Sequence, residues 1–193
     1  MRIATFDVEC TDLAAVGPGI FLCAVVKPLW EEPKTFRYDT HKKTFSESER
    51  LALQDTLGEI NKYDMIIGHN VEDFDLKWLR TRAYAIGVEF SAHPFTYDTM
   101  KAFRRVGYRT AINRNTGKPI SSLAFVADCL GIDNLKTQIY PREHWQCVWG
   151  DGKRRSEAMD NLVSHCLGDV IMTEKIYSIL LPADTRANIK RFL

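Results

Sequence analysis

The chain has 193 residues, of which 45% are hydrophobic and 26% are charged, and its formal net charge is only +1. This length allows one well-buried core, so we expect a single domain over residues 1–193. Since no apolar run approaches the roughly 18 residues of a membrane-spanning helix and the first residues lack a signal-peptide pattern, we expect a cytoplasmic protein with no membrane partner.

The start of the chain has the pattern of three β-strands. Residues 2–8 and 20–26 are mainly apolar, and residues 34–39 continue the β pattern. Glycine and proline residues separate the segments and favour turns. The sequence therefore predicts an antiparallel meander.

A helix is predicted next, over residues 46–62, with Ser46 and Glu49 as a capping box. Short buried strands are predicted at residues 64–70 and near residues 93–98. Further helices, which end at a glycine or have apolar residues at helical spacing, are predicted over residues 73–87, 120–132 and 156–181. We expect residues 135–153 to be irregular. Strands that alternate with helices indicate an α/β fold, with a mixed central sheet flanked by helices.

Two carboxylates stand one residue apart at the end of the first strand. Alternate residues of a strand face the same way, so Asp7 and Glu9 are expected on one face. Adjacent half-buried carboxylates repel each other, and protonation, a basic partner or a bound cation relieves this repulsion. The alternative is a solvated strand end, so the interpretation depends on partners elsewhere in the chain.

Two other places supply such partners. Asp75 begins a predicted helix directly after a buried strand, although a helix cap alone also explains an acid there. His165 and Asp169 are four residues apart and therefore share one face of the last helix, among apolar residues. A half-buried histidine with an ordinary hydrogen bond is the alternative for His165.

Basic residues are unevenly distributed. Between Asp98 and Asp128 there is no acidic residue, and this interval contains Lys101, Arg104, Arg105, Arg109, Arg114 and Lys118. Such a tract can bind phosphates, as can residues 153–155, although a solvated loop also explains it. The aromatic residues Tyr108, Trp145 and Trp149 are candidate stacking surfaces for an unpaired strand.

Three motifs occur in chain order: FDVE at residues 6–9, NVEDFD at residues 70–75 and HCLGD at residues 165–169. Together they resemble the motifs of the DEDD superfamily of 3′→5′ exonucleases. The interval from Asn70 to Asp75 is most similar to the proofreading exonuclease domain of family B DNA polymerases. That group normally carries tyrosine where this chain has His165, and the histidine branch of the superfamily places its histidine at the position of Ser164.

The resemblance implies a ribonuclease H-like fold and a metal-dependent 3′→5′ exonuclease that releases nucleoside 5′-monophosphates from DNA or RNA. It implies two Mg²⁺ or Mn²⁺ ions, which together stabilise the phosphate charge and activate water. By resemblance, Asp7 bridges both ions, Glu9 and Asp169 bind the ion that activates water, and Asp75 supports the second ion. His165 is expected to orient or deprotonate the water. Asp73 is a competing candidate for the middle acid.

The expected partner is a nucleic acid with a free 3′ end, and single-stranded DNA in particular. The resemblance places the following residues near the terminal nucleotide: Thr11, Asp12, Leu13, His69, Asn70 and Phe74. An endonuclease on the same fold is one alternative function. A degenerate domain that only binds nucleic acid is another, although all four acids are present.

Overall fold

A computed structural model of the chain describes residues 1–41, 43–106, 112, 115, 117 and 120–184, together with the backbone of residues 190–191. The strands in these residues are β1 (Ile3–Cys10), β2 (Phe21–Pro28), β3 (Lys34–Arg37), β4 (Met65–Gly68), β5 (Phe95–Asp98) and β6 (Lys190–Arg191). The α-helices are α1 (Phe45–Ile60), α2 (Asp75–Ala85), α3 (Thr99–Arg105), α4 (Leu123–Cys129), α5 (Pro141–Trp149) and α6 (Gly152–Leu180). A short 3₁₀ helix spans Tyr38–Thr40.

The described strands form one mixed sheet in the order β3-β2-β1-β4-β5-β6. Strands β1, β2 and β3 pair antiparallel, which confirms the predicted meander. Strands β1, β4 and β5 pair parallel, and helices α1 and α2 provide the crossover connections that parallel neighbours need. The predicted α/β fold, a mixed sheet flanked by helices, is confirmed.

The parallel strands bring polar residues to one edge of the sheet. The carboxyl ends of β1, β4 and β5 lie at this edge because the three strands run in the same direction. Glu9 lies near the end of β1, Asn70 follows β4, and Asp98 ends β5. Crevices at the carboxyl ends of parallel strands are common ligand sites in α/β folds.

Helix α1 begins differently from the sequence prediction. Its N-cap is Thr44 rather than Ser46, and the Thr44 hydroxyl donates to the Glu47 carboxylate at 2.9 Å. The predicted cap partner, Glu49, is buried and accepts two hydrogen bonds from the Arg82 guanidinium, at 2.7 and 2.8 Å. Glu49 therefore joins α1 to α2, because a buried carboxylate is stable only with such a partner.

The prediction that residues 135–153 are irregular is wrong in part, because α5 lies within them. Pro141 occupies the first turn of α5, where a missing backbone N–H breaks no helical hydrogen bond. The Glu143 carboxylate accepts from the backbone N–H of Tyr140 at 2.7 Å and so stabilises the helix start. A proline that reads as a helix breaker thus marks a helix start here.

Two other helix starts also differ from prediction. Helix α3 was not predicted; its N-cap is Asp98, whose carboxylate accepts from the backbone N–H of Lys101 at 3.1 Å. Helix α6 begins at Gly152, before the predicted residue 156, because Asp151 caps it by accepting from the backbone N–H of Arg154 at 3.1 Å.

Helix α6 packs along the sheet and contributes to both clusters of the hydrophobic core. Leu162, Cys166 and Val170 belong to one cluster, whereas Met172 and Ile176 belong to the other. This continuous burial fixes the helix against β1 and its neighbours. Although α6 has 29 residues, neither it nor any other helix in the described part of the chain has an apolar stretch that could span a bilayer.

Candidate active site

The two acids of the first motif lie where β1 meets α6. The thiol of Cys166 donates to the backbone carbonyl of Asp7, with 3.5 Å between sulfur and oxygen, so helix and strand touch at this residue. Two residues further on, the Oε1 atom of Glu9 lies 3.9 Å from Nε2 of His165. The first and third motifs are therefore brought together.

The middle motif forms a turn that delivers Asp75 to the same place. Asn70 has a left-handed backbone, with φ of 69°, a conformation that asparagine adopts more readily than most residues. Its carbonyl accepts from the backbone N–H of Phe74 at 2.9 Å, and α2 then begins at Asp75. Asp75 is only 3% exposed, and the neighbouring backbone of Val8 in β1 acts to lower its pKa, against the larger effect of burial.

The two candidates for the middle acid have different environments. Asp73 is half exposed, and its carboxylate binds Lys77 and Lys101 at 2.8 and 2.7 Å. Asp75 is buried beside β1, and it raises the pKa of Asp7, after the larger effect of burial. Asp75, rather than Asp73, therefore lies near the other acids.

A further acid, Asp98, holds the turn in place. Its carboxylate accepts from the backbone N–H groups of Asn70 at 3.2 Å, Glu72 at 3.3 Å and Lys101 at 3.1 Å. Sequence reasoning assigned Asp98 no role, although an acid directly after a buried strand and before a threonine is a typical helix cap. It stabilises the loop that carries Asp75.

The third motif faces the acids of β1 from one turn of α6. Nδ1 of His165 lies 2.6 Å from the backbone carbonyl of Thr137. Its Nε2 atom lies 3.9 Å from Glu9 and 4.0 Å from Oδ2 of Asp169. A residue one helical turn before Asp169 therefore faces the same site, as its spacing predicts.

A lysine that sequence reasoning missed contacts the last acid. Nζ of Lys136 lies 2.6 Å from Oδ2 of Asp169. The close approach depends on Gly168, since a Cβ atom there would lie 2.6 Å from the backbone carbonyl oxygen of Leu135. The glycine inside the HCLGD motif is the sequence signal for this contact, because glycine in a helix permits another backbone to approach closely.

A second histidine contacts Glu9 from α5. Nε2 of His144 donates to Oε2 of Glu9 at 3.3 Å, and this hydrogen bond raises the pKa of His144. The contact was missed because α5 itself was not predicted. Glu9 therefore lies between two histidines, with His165 on its other oxygen.

The acids repel one another. Burial raises the pKa of Asp7 well above its usual range, and the charges of Asp75, Asp169 and Glu9 raise it further. Each of these partners belongs to one of the three motifs. The other three carboxylates are therefore close enough to Asp7 for their charges to raise its pKa.

The pKa values of the other two buried acids are also raised. Burial raises the pKa of Asp75 to about 8, and the charges of Asp98 and Glu9 add to this effect. Burial also raises the pKa of Asp169, although Lys136 acts in the opposite direction. At neutral pH the cluster therefore retains protons that isolated carboxyl groups would have released.

The chemistry of this cluster suits a hard divalent cation. All four donors are carboxylates, the ligands that Mg²⁺ and Mn²⁺ prefer, and Oδ1 of Asp169 is buried with no hydrogen-bond partner in the described structure. Among the described residues, no three acidic, histidine or cysteine side chains form a ready coordination shell. The acids thus form a repelling cluster rather than a closed cage.

An open cleft of about 470 Å³ adjoins Glu9. Its walls include Leu13, Phe74, Pro141, His144 and Trp145. Leu13 is 81% exposed at the mouth of the cleft. The cleft combines apolar walls with polar and ionisable side chains, a combination that suits a molecule with an apolar ring and an anionic group.

The loop after β1 is held by its own hydrogen bonds. The hydroxyl of Thr11 donates to the carbonyl of Pro18 at 2.7 Å, and the carbonyl of Asp12 accepts from the Trp78 indole at 3.0 Å. Thr11 and Asp12 therefore present a fixed backbone at the cleft.

Each ring nitrogen of His69 has a hydrogen-bond partner. Nε2 lies 2.8 Å from the carbonyl of Ser121, and Nδ1 lies 3.0 Å from the Thr99 hydroxyl. Burial lowers the pKa of His69 to about 4, so the ring is neutral at pH 7. His69 is therefore a neutral anchor between β4, α3 and the segment before α4.

The described residues of the basic tract contact other side chains. Lys101 binds Glu72 at 2.8 Å, Arg104 donates to the Ser121 hydroxyl at 2.6 Å, and Arg105 binds Asp184 at 2.6 Å. Four other sequence candidates lie outside the described residues: Tyr108, Arg109, Arg114 and Lys118. Phosphate binding by the tract stays a prediction.

Comparison with known proteins agrees with this fold. A sequence model of the RNase H superfamily matches residues 4–181. Among solved structures, the chain is similar to the family B DNA polymerase from the hyperthermophilic archaeon Pyrobaculum calidifontis, with a TM-score of 0.69 and 19% sequence identity. The match covers 94% of this chain and 25% of the polymerase chain, so this chain spans a quarter of that protein. No curated protein matches the sequence.

Proposed function

The chain belongs to the RNase H superfamily, and we propose that it is a metal-dependent 3′→5′ exonuclease of the DEDD type. The observation that carries this proposal is the position of Nε2 of His165, 3.9 Å from Glu9 and 4.0 Å from Asp169, within a cluster of four carboxylates. Those carboxylates are Asp7, Glu9, Asp75 and Asp169. A solvated strand end would not explain why acids from three distant segments converge.

Two Mg²⁺ or Mn²⁺ ions are the proposed cofactors. Asp7, Glu9, Asp75 and Asp169 are the residues that would hold them. When bound, the ions supply positive charge for the scissile phosphate and for the activation of water. The buried unpaired oxygen of Asp169 and the repulsion around Asp7 support this assignment.

His165 is the proposed proton acceptor. A carbonyl oxygen only accepts hydrogen bonds, so the 2.6 Å contact with Thr137 requires that Nδ1 carries the hydrogen. In the neutral ring Nε2 then has a free lone pair, and it is directed at the carboxylate cluster. It can accept a proton from a water that attacks the phosphorus.

Lys136 and His144 are the proposed positioning residues. Lys136 balances the charge of Asp169, and His144 orients Glu9 by donating to Oε2 at 3.3 Å. Both side chains lie at the edge of the acidic cluster, where the phosphate of a bound nucleotide must approach. Cationic side chains at such a place offset the repulsion between phosphate and carboxylates.

The reaction follows from the proposed direction of attack. Water adds to the phosphorus of the last phosphodiester, the bond from phosphorus to the 3′ oxygen breaks, and that oxygen takes a proton. The products are a nucleoside 5′-monophosphate and a strand that is one nucleotide shorter, with a new 3′ hydroxyl.

The cleft is the proposed site of the terminal nucleotide. Leu13 and Phe74 supply apolar contacts for a base, and Thr11 and Asp12 supply backbone groups near the sugar. Asn70, at the start of the turn that leads to Phe74, is a further proposed contact. His69, next to Asn70 in the chain, would hold the start of this turn through its contacts with Ser121 and Thr99. An unpaired DNA end, whose terminal base is free to enter the cleft, is the proposed substrate.

A comparison of linear and circular DNA tests the function. With Mg²⁺ present, an unpaired strand labelled at its 5′ end should shorten one nucleotide at a time and release 5′-mononucleotides. A closed single-stranded circle of the same composition should remain intact. Cleavage of the circle at a similar rate would favour an endonuclease, and binding without any cleavage would favour a degenerate binding module.

A further inference from the structure

Helix α5 presents two tryptophans on one face. Trp145 and Trp149 are four residues apart and therefore neighbours on the helix surface, and they are 36% and 76% exposed. Cys147 is buried on the opposite side of α5, Val148 is buried beside the tryptophan face, and Tyr38 donates its hydroxyl to the carbonyl of Cys147. The aromatic face is thus held rigidly towards solvent.

This face is continuous with the cleft at the acids. Trp145 lines the cleft together with Glu9 and Phe74, whereas Trp149 lies one helical turn further away. Four residues of α-helix rise about 6 Å, which is comparable with the step between neighbouring nucleotides of an extended single strand. A base in the cleft and a base on Trp149 therefore fit consecutive positions of one strand.

Basic residues follow the tryptophans. Lys153 and Arg154 stand in the first turn of α6, directly after the turn that ends α5. Their contacts with acids are long and exposed, at 3.7 Å to Glu157 and 3.7 Å to Asp151. Such weakly held cations beside exposed aromatic rings suit a phosphate backbone, because single-stranded nucleic acid is bound by stacking together with positive charge.

We infer that α5 is a binding track for the nucleotides that precede the terminal one in an unpaired strand. The base next to the terminal nucleotide stacks on Trp149, and the phosphates beyond it pass Lys153 and Arg154. This inference rests on the proposed function, since it takes the carboxylate cluster as the place of the 3′ end. It predicts that affinity rises with strand length until the track is filled.

Quenching of tryptophan fluorescence tests the track without turnover. Unpaired DNA of ten nucleotides and a single-nucleotide reference strand, which fills only the cleft, are titrated in excess chelator into the full chain and into Trp149→Ala. Stacking is worth about 1–3 kcal/mol per base, so the preference for the longer strand, taken as the ratio of the two Kd values, should be about 5- to 150-fold smaller in Trp149→Ala than in the wild type. Trp149→Phe keeps an aromatic ring and should retain most of the preference.

Trp30→Ala is the matched control. Trp30 is 86% exposed, but it lies beside the start of β1, at the end of the strand opposite to the acids. This variant should bind both strands as the wild type does. Equal length preference in wild type and folded Trp149→Ala would overturn the track.

The outcome separates the two proposals. If linear DNA is degraded but Trp149→Ala has no effect on length preference, the track is wrong and the exonuclease stands. If the length preference depends on Trp149 but no DNA is cleaved with Mg²⁺ or Mn²⁺, the track stands and the exonuclease is wrong. A wild-type chain that binds neither strand overturns the track.

Discussion

Nδ1 of His165 lies 2.6 Å from the backbone carbonyl of Thr137, and this contact determines which ring nitrogen faces the carboxylates. The hydrogen of the neutral ring must lie on Nδ1, since the carbonyl cannot donate. Nε2 is then the acceptor within reach of Glu9 and Asp169. A histidine at the spacing of a tyrosine can thus serve as a base because a loop outside the motif orients it.

His165→Ala should lower the single-turnover rate by roughly 10²- to 10⁴-fold, because the attacking water loses its proton acceptor. The melting temperature should stay near that of the wild type. His165→Tyr should recover part of the rate, since the family B proofreading domains that the sequence resembles carry tyrosine at this spacing. His41→Ala is the matched control, because His41 only pairs with Asp55 at 3.3 Å on the surface. A folded His165→Ala chain with a normal rate would exclude the catalytic role.

The metal-free protein should lose stability as pH rises. The pKa of Asp75 is raised to about 8 in the folded chain, mainly by burial, so the folded chain keeps a proton that the unfolded chain releases near pH 4. Between these values the folded state binds more protons than the unfolded state, and the free energy of unfolding therefore falls. Thermal melts in chelator from pH 5 to pH 8 measure this trend.

Asp75→Asn is the control for that trend, because asparagine has the shape of a protonated aspartate and does not titrate. Its melting temperature should depend less on pH over the same range. A steeper decline in the variant than in the wild type would contradict the burial of a titrating Asp75. Addition of Mn²⁺ at pH 8 should stabilise the wild type more than the variant.

Lys136→Met should destabilise the metal-free protein at pH 8 by about 1–3 kcal/mol, since it leaves the mostly buried Asp169 carboxylate without its cation. Urea denaturation measures the free energy of unfolding. Lys62→Met removes a more exposed ion pair with Glu59 and should cost less than about 1 kcal/mol. Equal losses in the two variants would show that Lys136 has no special role at the cluster.

Gly168→Ala should lower both stability and activity, because its Cβ atom would lie 2.6 Å from the Leu135 carbonyl and would displace the segment that carries Lys136. The expected loss of stability is about 1–3 kcal/mol. Gly58→Ala is the control: it lies inside α1 with open space around its Cβ position, and should stabilise the chain by up to about 1 kcal/mol. The two variants should shift the melting temperature in opposite directions.

Much of the fold was predictable because its signals are local. The alternation in β1, the apolar spacing of α6 and the left-handed Gly87 after α2 all depend on residues close together in the sequence. Helix α5 was missed because it is only nine residues long and begins with Pro141. The error at the start of α1 had another cause, since a buried long-range partner, Arg82, binds Glu49.

Part of the candidate site was predictable from local sequence patterns, and part was not. The acids stand in short motifs on predictable elements, so their approach to one another followed from the order of strands and helices. Lys136 and His144 come from the segment whose structure was not predicted, and their partners lie 33 and 135 residues away. Contacts at such separations depend on the packed fold, which no local pattern reports.

The four carboxylates are proposed to form the metal-dependent centre of an exonuclease. The most direct test of this proposal measures the release of 5′-mononucleotides from an unpaired DNA strand by wild type and Asp7→Asn, first in excess chelator and then after Mg²⁺ or Mn²⁺ is restored. Release is expected only from the wild type and only with the metal, while Asp7→Asn should stay folded and inactive. Undiminished release in excess chelator, or an Asp7→Asn chain as active as the wild type, would contradict the proposal.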